Sequence, residues 1–135
     1  MSETCIFCKI IKGEIPSKKV FENEEILAFL DINPITKGHT VVIPKNHYET
    51  ILDLPEGEMQ KFFSALKKVA SMIKKNLDAD GFNILQNNFK AAGQEVPHMH
   101  FHIIPRMEGD GAIKFPPQMD VDSEYLENVL KEIKS

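Results

Sequence analysis

No run of apolar residues in this 135-residue sequence approaches the roughly 18–20 needed to cross a bilayer, so we expect no membrane-spanning helix. Basic residues are not in excess either. The 16 Lys and Arg against 20 Asp and Glu give a formal net charge of −4, which argues against a surface that coats nucleic acid. The first residues contain no basic segment leading into an apolar one, so no secretory signal is expected. These absences predict a cytoplasmic protein whose partners include neither a membrane nor a nucleic acid.

Cysteine is also scarce, since Cys5 and Cys8 are the two in the chain. In the cytoplasm we expect both to be reduced thiols, available for metal or redox chemistry. The sequence has no internal repeat, low-complexity tract or linker. With 42% hydrophobic and 27% charged residues, a chain of this length is typical of one soluble globular domain, predicted here over residues 1–135.

Hydrophobic periodicity predicts helices and strands in the order α-β-β-β-α-β-β-α. The predicted helices cover residues 5–12, about 54–76 and 124–133, and the predicted strands cover 18–21, 26–31, 39–43, 82–88 and 96–105. The long central helix is indicated by apolar residues at helical spacing, with lysines on the opposite face. We therefore expect an α+β fold: an antiparallel sheet of about five strands, one long helix and short terminal helices, with the helices on one side.

Three of the five histidines alternate along the last predicted strand, as His98, His100 and His102. Successive side chains of a strand point to opposite faces, so these three share one face. That is too many for packing, because core positions favour apolar residues. One chemistry for such a row is a zinc site with an open coordination position. The other is attack of a neutral imidazole on a phosphate, with neighbours that bind the phosphoryl oxygens and protonate the leaving group.

The surrounding residues favour the phosphate chemistry. Gly93 lies in the loop that leads into the histidine strand, and a glycine lets backbone N–H groups approach a phosphate closely. Asn87, on the neighbouring predicted strand, can donate an amide hydrogen bond. Joined to the histidine row, these residues predict a phosphate-binding site.

The sequence resembles the histidine triad (HIT) family, whose signature is His-φ-His-φ-His-φ-φ with φ apolar. Residues 98–104 match this signature at every position. The resemblance extends over nearly the whole chain, through residues 6–7, 10–11, 13–16, 29–34, 38–39, 42–44, 87 and 93–94. It implies a HIT-like sheet that family members extend across a homodimer. It also implies that the C-terminal segment, 107–135, varies among branches.

The resemblance also implies roles for individual residues. In the family, the central triad histidine attacks the α-phosphate of a nucleotide and forms a nucleotidyl-histidine that water resolves, a role that falls on His100. His102 would contact the phosphate and the leaving atom, with His39 close by. For nucleotide binding the resemblance implies Asp31 at the ribose hydroxyls, Ile10, Ile15, Phe29 and Ile32 around the base, and Asn87, Gly93, Gln94 and Glu95 near the phosphate.

The activity implied is that of a nucleotide hydrolase or transferase acting on nucleoside phosphoramidates, adenylylated adducts or dinucleoside polyphosphates, with a purine nucleotide such as AMP or GMP as ligand. Two alternatives stay open: a nucleotide-binding regulatory module with little turnover, and a zinc hydrolase that uses the triad as ligands. Turnover of adenosine phosphoramidate distinguishes an enzyme from a regulatory module. Turnover by metal-free protein excludes the zinc hydrolase.

One position departs from a common family pattern. Many eukaryotic members carry Ser or Thr two residues after the loop glycine, where this chain has Glu95. A carboxylate cannot donate a proton unless it is protonated, and it repels phosphate. We therefore expect the Glu95 side chain to point elsewhere or its pKa to be raised, while its backbone N–H can still serve.

The pair Cys5-x-x-Cys8 by itself fits a redox pair, half of a zinc site or two core thiols. A structural zinc site needs two more ligands, and a Cys2His2 set suits Zn²⁺. The HIT branch with Cys-x-x-Cys near its start completes the site with His47 and the first triad histidine, His98. The resemblance therefore implies one structural Zn²⁺ outside the chemical step.

Overall fold

A computed structural model of the protein describes residues 3–135. Within them, five antiparallel strands form one sheet in the order β1-β2-β3-β5-β4. The strands are β1 (Lys19–Glu22), β2 (Ile26–Leu30), β3 (Thr40–Pro44), β4 (Gly81–Gln86) and β5 (Phe101–Arg106). The helices are α1 (Ile6–Ile11), α2 (Glu56–Asn76) and α3 (Ser123–Lys134). The predicted α+β class and element order are confirmed, and two short 3-10 turns, Ile51–Asp53 and Lys90–Ala92, are additional.

Helix α2 forms where the apolar residues recur every three or four positions. Its first turn carries Glu56 and Glu58 and its last turn Lys74 and Lys75, so the charges complement the helix dipole at both ends. The apolar stripe is buried against the sheet, with the ring of Phe62 lying 5.3 Å from that of Phe101 on β5. This packing fixes the face of β5 opposite the triad.

The expectation that the helices lie on one side of the sheet is wrong. Helix α2 packs with Ile26 and Ala28 of β2, whereas α1 packs with Leu27 and Phe29 of the same strand. Alternate residues of a strand point to opposite faces, so α1 and α2 cover opposite faces. The reason is that β2 is apolar on both faces, and each face needs a cover.

The last strand is shorter than predicted, because it begins at Phe101 and not at Val96. Residues 96–100 leave the ladder: the His98 N–H donates to the Val96 carbonyl at 2.8 Å, and the Met99 N–H donates to the Tyr48 carbonyl at 2.6 Å. The side-chain alternation nevertheless continues through this segment. Met99 is buried in the core beneath α2, while the rings of His98 and His100 contact Phe7 of α1.

Gly38 lies in the turn just before β3, the strand that pairs with the triad strand β5. Its φ of +88° is in the left-handed region, and a Cβ there would collide with the Leu77 side chain just after α2. The left-handed turn is what favours glycine, because the Leu77 atom is the tip of a side chain that can move aside. The next residue, His39, enters the sheet face that carries the triad.

The C-terminal segment contains helix α3, which is capped by Asp122 through a 2.9 Å hydrogen bond from the Tyr125 N–H. None of its residues is buried, and Leu126, Leu130 and Ile133 are exposed. No helix formed by residues 3–135 combines the length and apolar character that a membrane crossing requires.

Candidate active site

A cleft of about 500 Å³ lies on the α1 face of the sheet. The structure brings nearly all the catalytic and nucleotide-binding residues predicted from the sequence to this cleft. They are Ile10, Ile15, Phe29, Asp31, Ile32, His39, Asn87, Gly93, Glu95, His100 and His102.

Gln94 is the exception, because its side chain holds the loop together and does not line the cleft. Its Oε1 accepts from the Phe89 N–H at 2.7 Å, and its Nε2 donates to the carbonyls of Glu49 and Val96. Because backbone groups bind both the acceptor and the donors of the Gln94 amide, this side chain stabilises the segment that precedes the triad.

The apolar end of the cleft is built by α1 and the ends of β2 and β3. Phe29 pairs in register with Val41, so both side chains face this end. The ring of Phe7 lies 5.6 Å from that of Phe29 and 5.0 Å from that of His100, edge to face in both cases. Sequence reasoning missed Phe7 and Val41, although strand alternation from His39 and helical spacing from Ile10 were signals for them.

His100 is buried and has one defined tautomer. Its Nδ1 lies 2.7 Å from the His98 carbonyl, which only accepts, so Nδ1 carries the proton and Nε2 keeps its lone pair. Burial lowers the pKa of His100, and the charges of Asp31 and Glu95 oppose this only in part. The ring is therefore neutral at pH 7 and has a free nitrogen lone pair.

His39 sets the tautomer of His102. The Ile35 N–H donates to Nδ1 of His39 at 3.1 Å, so the proton of His39 is on Nε2, which donates to Nδ1 of His102 at 2.9 Å. The remaining nitrogen of His102, Nε2, is then an N–H donor. Burial, followed by repulsion from His100 and His39, lowers the pKa of His102 to about 4. His102 is thus a neutral hydrogen-bond donor at pH 7.

Asp31 lies just beyond β2 at the mouth of this histidine pair. One carboxylate oxygen accepts from the Asn33 N–H at 2.8 Å, which fixes a local turn, and the other lies 3.6 Å from Nε2 of His39. The carboxylate is half-buried and still has acceptor capacity that faces the cleft.

The donor atoms of Asp31, His39 and His102 lie close enough together to suggest a metal site, but their protonation does not fit one. Nε2 of His39 carries the proton, because Nδ1 accepts from the backbone of Ile35. A ring nitrogen that bears hydrogen cannot coordinate a cation. Nor do the three triad histidines form one ligand set within residues 3–135, since His98 belongs to a separate cluster. This geometry counts against a zinc hydrolase.

That second cluster joins Cys5, Cys8, His47 and His98. Nδ1 of His98 lies 3.4 Å from Sγ of Cys5 and 3.6 Å from Sγ of Cys8, and Nδ1 of His47 lies 3.3 Å from Sγ of Cys8. In a tetrahedral zinc site the usual bond lengths place sulfur and nitrogen ligands about 3.6 Å apart. The cluster therefore fits Zn²⁺ by ligand type and by spacing.

The tautomer of His98 fits a metal as well. Its Nε2 lies 2.8 Å from the Pro44 carbonyl and must donate to it, which leaves the lone pair on Nδ1, the nitrogen that faces the sulfurs. Burial lowers the pKa of His98 to about 4, so the ring is in the neutral form that coordinates metals. Both cysteines are free thiols.

The loop over residues 87–96 closes the polar end of the cleft. Gly93 ends a 3-10 turn with a φ of +90°, and Asn87 Nδ2 donates to its carbonyl at 3.5 Å. The sequence led us to expect that the Glu95 side chain points away from the phosphate site, but Glu95 lies at the cleft. It is exposed and lines both the cleft and an adjoining cavity of about 400 Å³.

The chain is similar in sequence to proteins of other organisms. It is 57% identical over 131 residues to an uncharacterized HIT-like protein of Methanocaldococcus jannaschii, covering 96% of this chain and 98% of that one. It is 42% identical over 134 residues to an adenosine 5'-monophosphoramidase of Saccharomyces cerevisiae, covering 98% and 82%.

Solved structures agree with these sequence relationships. A HIT family member from Bacillus subtilis matches with a TM-score of 0.89 at 43% identity, covering 98% of this chain and 96% of that one. A Zn-bound histidine triad family protein from Mycobacterium smegmatis matches with a TM-score of 0.76 at 36% identity, covering 97% and 96%. Residues 12–109 match the model of the HIT domain, and the chain belongs to the HIT family.

Proposed function

We propose that the protein is a nucleotide hydrolase that cleaves nucleoside phosphoramidates, or other adenylylated compounds, through a nucleotidyl-histidine on His100. The observation that carries this proposal is the free Nε2 lone pair of a neutral, buried His100 in a cleft with one apolar end. Relatives with named activities include adenosine 5'-monophosphoramidases and an adenylylsulfatase, which supports the same reaction class.

The substrate lies along the cleft, with the base against Ile10, Ile15 and Phe29 and the ribose hydroxyls at Asp31. This places the α-phosphate at the centre, where Nε2–H of His102 donates to a phosphoryl oxygen. The negative charge of the bound phosphate also raises the pKa of His102.

In the first step, the Nε2 lone pair of His100 forms a bond to phosphorus. The bond from phosphorus to the leaving nitrogen breaks, and the amine departs with that electron pair and takes a proton from solvent. His100 becomes a positively charged nucleotidyl-imidazolium whose Nδ1–H still donates to the His98 carbonyl. That hydrogen bond is stronger to a cation than to a neutral ring, so it stabilises the intermediate.

In the second step, water attacks phosphorus and the bond to Nε2 breaks. The electron pair returns to His100, the water loses a proton, and the nucleoside monophosphate leaves. The net reaction consumes one phosphoramidate and one water and yields one monophosphate and one amine. His100 ends in its starting tautomer.

Replacing the nucleophile should separate chemistry from binding. His100→Ala is expected to lose essentially all turnover of adenosine phosphoramidate and to keep AMP affinity within a few-fold, because base, ribose and phosphate contacts remain. His102→Ala should lose about 10²–10⁴-fold, the usual range for one assisting group. Rapid quench with labelled substrate should trap an acid-labile, base-stable adduct on wild type.

Full activity, or the same adduct, in His100→Ala would contradict the nucleophile assignment. Wild-type protein that binds AMP but turns over no phosphoramidate would favour the regulatory module.

Asp31→Asn is expected to weaken AMP binding about tenfold, because a hydrogen bond to a charged acceptor is worth roughly 1.5–3 kcal/mol. The amide oxygen can still accept from the Asn33 N–H, so the local turn is kept. Calorimetry with AMP and 2'-deoxy-AMP checks this. The variant should discriminate less between the two ligands than wild type does, and equal AMP affinity in both proteins would exclude a ribose contact.

We propose that Cys5, Cys8, His47 and His98 hold one structural Zn²⁺ per chain. When bound, the ion stabilises the fold by joining α1 to the segment that carries the triad. It lies outside the chemical steps, because neither His100 nor His102 belongs to its ligand cluster.

Cys8→Ser is expected to lose the metal and to lower Tm by about 10 °C or more, since 1 kcal/mol is worth roughly 3–5 °C in a domain of this size. Asn46→Ala is the matched control: Asn46 neighbours His47 but is exposed and donates to Glu58. It should keep its zinc. Elemental analysis that finds no zinc in reduced, chelator-free wild type would refute the site.

We also propose a homodimer in which a second copy adds to the free edge of β4. Beside this edge, a groove between α2 and β4 is lined by Phe63, Phe82 and Ile84, which are exposed apolar residues. Ile84→Glu should give a solution mass near the 15.3 kDa of one chain, whereas wild type and the exposed control Leu52→Glu should give twice that. A wild-type monomer in sedimentation analysis would end this proposal.

The whole chain is proposed to be one domain, with residues 107–135 as its variable part. The reduced thiols and the small nucleotide substrate fit the cytoplasm, with no membrane or nucleic acid as partner.

A further inference from the structure

We propose that Glu95 makes the leaving-group side of the cleft selective for charge, so that the enzyme prefers cationic amine leaving groups to anionic ones such as phosphate or sulfate. This inference rests on the proposed function, since it assumes that the nucleoside occupies the apolar end.

Glu95 shares the cleft with the proposed nucleophile. The cleft is lined by apolar side chains of α1 and β2, by the adjacent rings of His100 and His102, and by the loop residues Asn87, Gly93 and Glu95. With the base against the apolar side chains and phosphorus at His100, the proposal puts the leaving group beside the loop.

A second cavity borders the cleft at Glu95. This adjoining cavity of about 400 Å³ shares Ile6, Glu95 and Val96 with the cleft, so under the proposal it is the space nearest to a leaving group larger than ammonia. Glu95 thus lies at the junction, where the first charged group of a leaving group would pass.

The carboxylates are the charged side chains at this junction. Glu49 and Glu95 line the adjoining cavity, and no lysine or arginine lines either cavity within residues 3–135. Two of the proposed zinc ligands, Cys5 and His47, line it as well, but Zn²⁺ with two thiolates and two neutral imidazoles has no net charge. The Glu95 carboxylate has no hydrogen bond or ion pair with another described residue, so none of residues 3–135 neutralises it through such a contact. Sites that expel phosphate or other anions usually supply cationic groups to stabilise the departing charge. This junction has carboxylates in place of such cationic groups.

The field of Glu95 also reaches the reaction centre, because its charge acts on the ring of His100. A cationic leaving group is attracted along the whole path from phosphorus to the junction, and an anionic one is repelled along it. Each exposed charge interaction alone is small. Attraction of the cation and repulsion of the anion both add to the difference between the two substrates. We therefore expect kcat/KM to be about tenfold higher for a cationic substrate than for a matched anionic one.

The experiment uses three adenosine phosphoramidates of equal linker length, with ethylenediamine, propylamine or β-alanine as the amine. Their free ends are an ammonium, a methyl and a carboxylate. The measured quantity is the ratio of kcat/KM for the ammonium substrate to that for the carboxylate substrate. Because it compares two substrates on one protein, any general loss of activity in a variant cancels.

Wild type should give a ratio of about ten or more that falls as salt is added, since screening weakens exposed charges. Glu95→Gln, of nearly the same shape, should lower the ratio about tenfold, and Glu95→Lys should invert it. Glu56→Gln changes the net charge equally at a residue that lines neither cavity and should leave the wild-type ratio unchanged.

An unchanged ratio in Glu95→Gln, or a wild-type ratio near one, overturns the inference while leaving the proposed function intact. Failure of the proposed function is a separate result: wild type would not turn over the neutral propylamine substrate, and the inference would fall with it.

Discussion

The imidazole of His98 is held at both of its nitrogens, and the rest of the site depends on that. The Pro44 carbonyl of β3 binds Nε2–H at 2.8 Å, and the sulfurs of Cys5 and Cys8 face Nδ1. A ring fixed on two sides fixes its own backbone, whose carbonyl in turn sets the tautomer of His100 at 2.7 Å. One buried residue therefore joins the N-terminal segment, β3 and His100.

The site also depends on the burial of its other histidine rings. Desolvation lowers the pKa values of His39, His100 and His102, so the cleft presents neutral rings at pH 7. Neutral rings have tautomers, and here each tautomer is chosen by a backbone group or by the neighbouring ring. Donors and lone pairs are thus oriented before substrate arrives, which removes the cost of reorganising them during reaction. Phe7 of α1 contributes by covering the rings of His98 and His100.

The sequence was informative wherever a short period repeats. Helix α2 and the core face of β5 followed from apolar spacing, because such spacing has one low-energy interpretation. The sequence was misleading where local and long-range hydrogen bonds compete with the strand ladder for the same N–H groups. Residues 96–100 alternate like a strand, yet the Tyr48 carbonyl and a tight turn at Val96 take their N–H groups, and the ladder starts only at Phe101. Gln94 likewise looked like a ligand contact and is a brace for the loop backbone.

By itself, the sequence determined the fold class and the shared orientation of the triad, because these follow from residue identity and spacing. The ligand set of the cysteine–histidine cluster followed only from the resemblance to a family. Tertiary structure alone decided the rest. It placed α1 opposite α2, since β2 is apolar on both faces, and brought Cys5 and Cys8 to His98 across some ninety residues of chain. It also assigned the protons: which nitrogen of His98, His100 or His102 keeps its lone pair depends on a partner that no local pattern specifies.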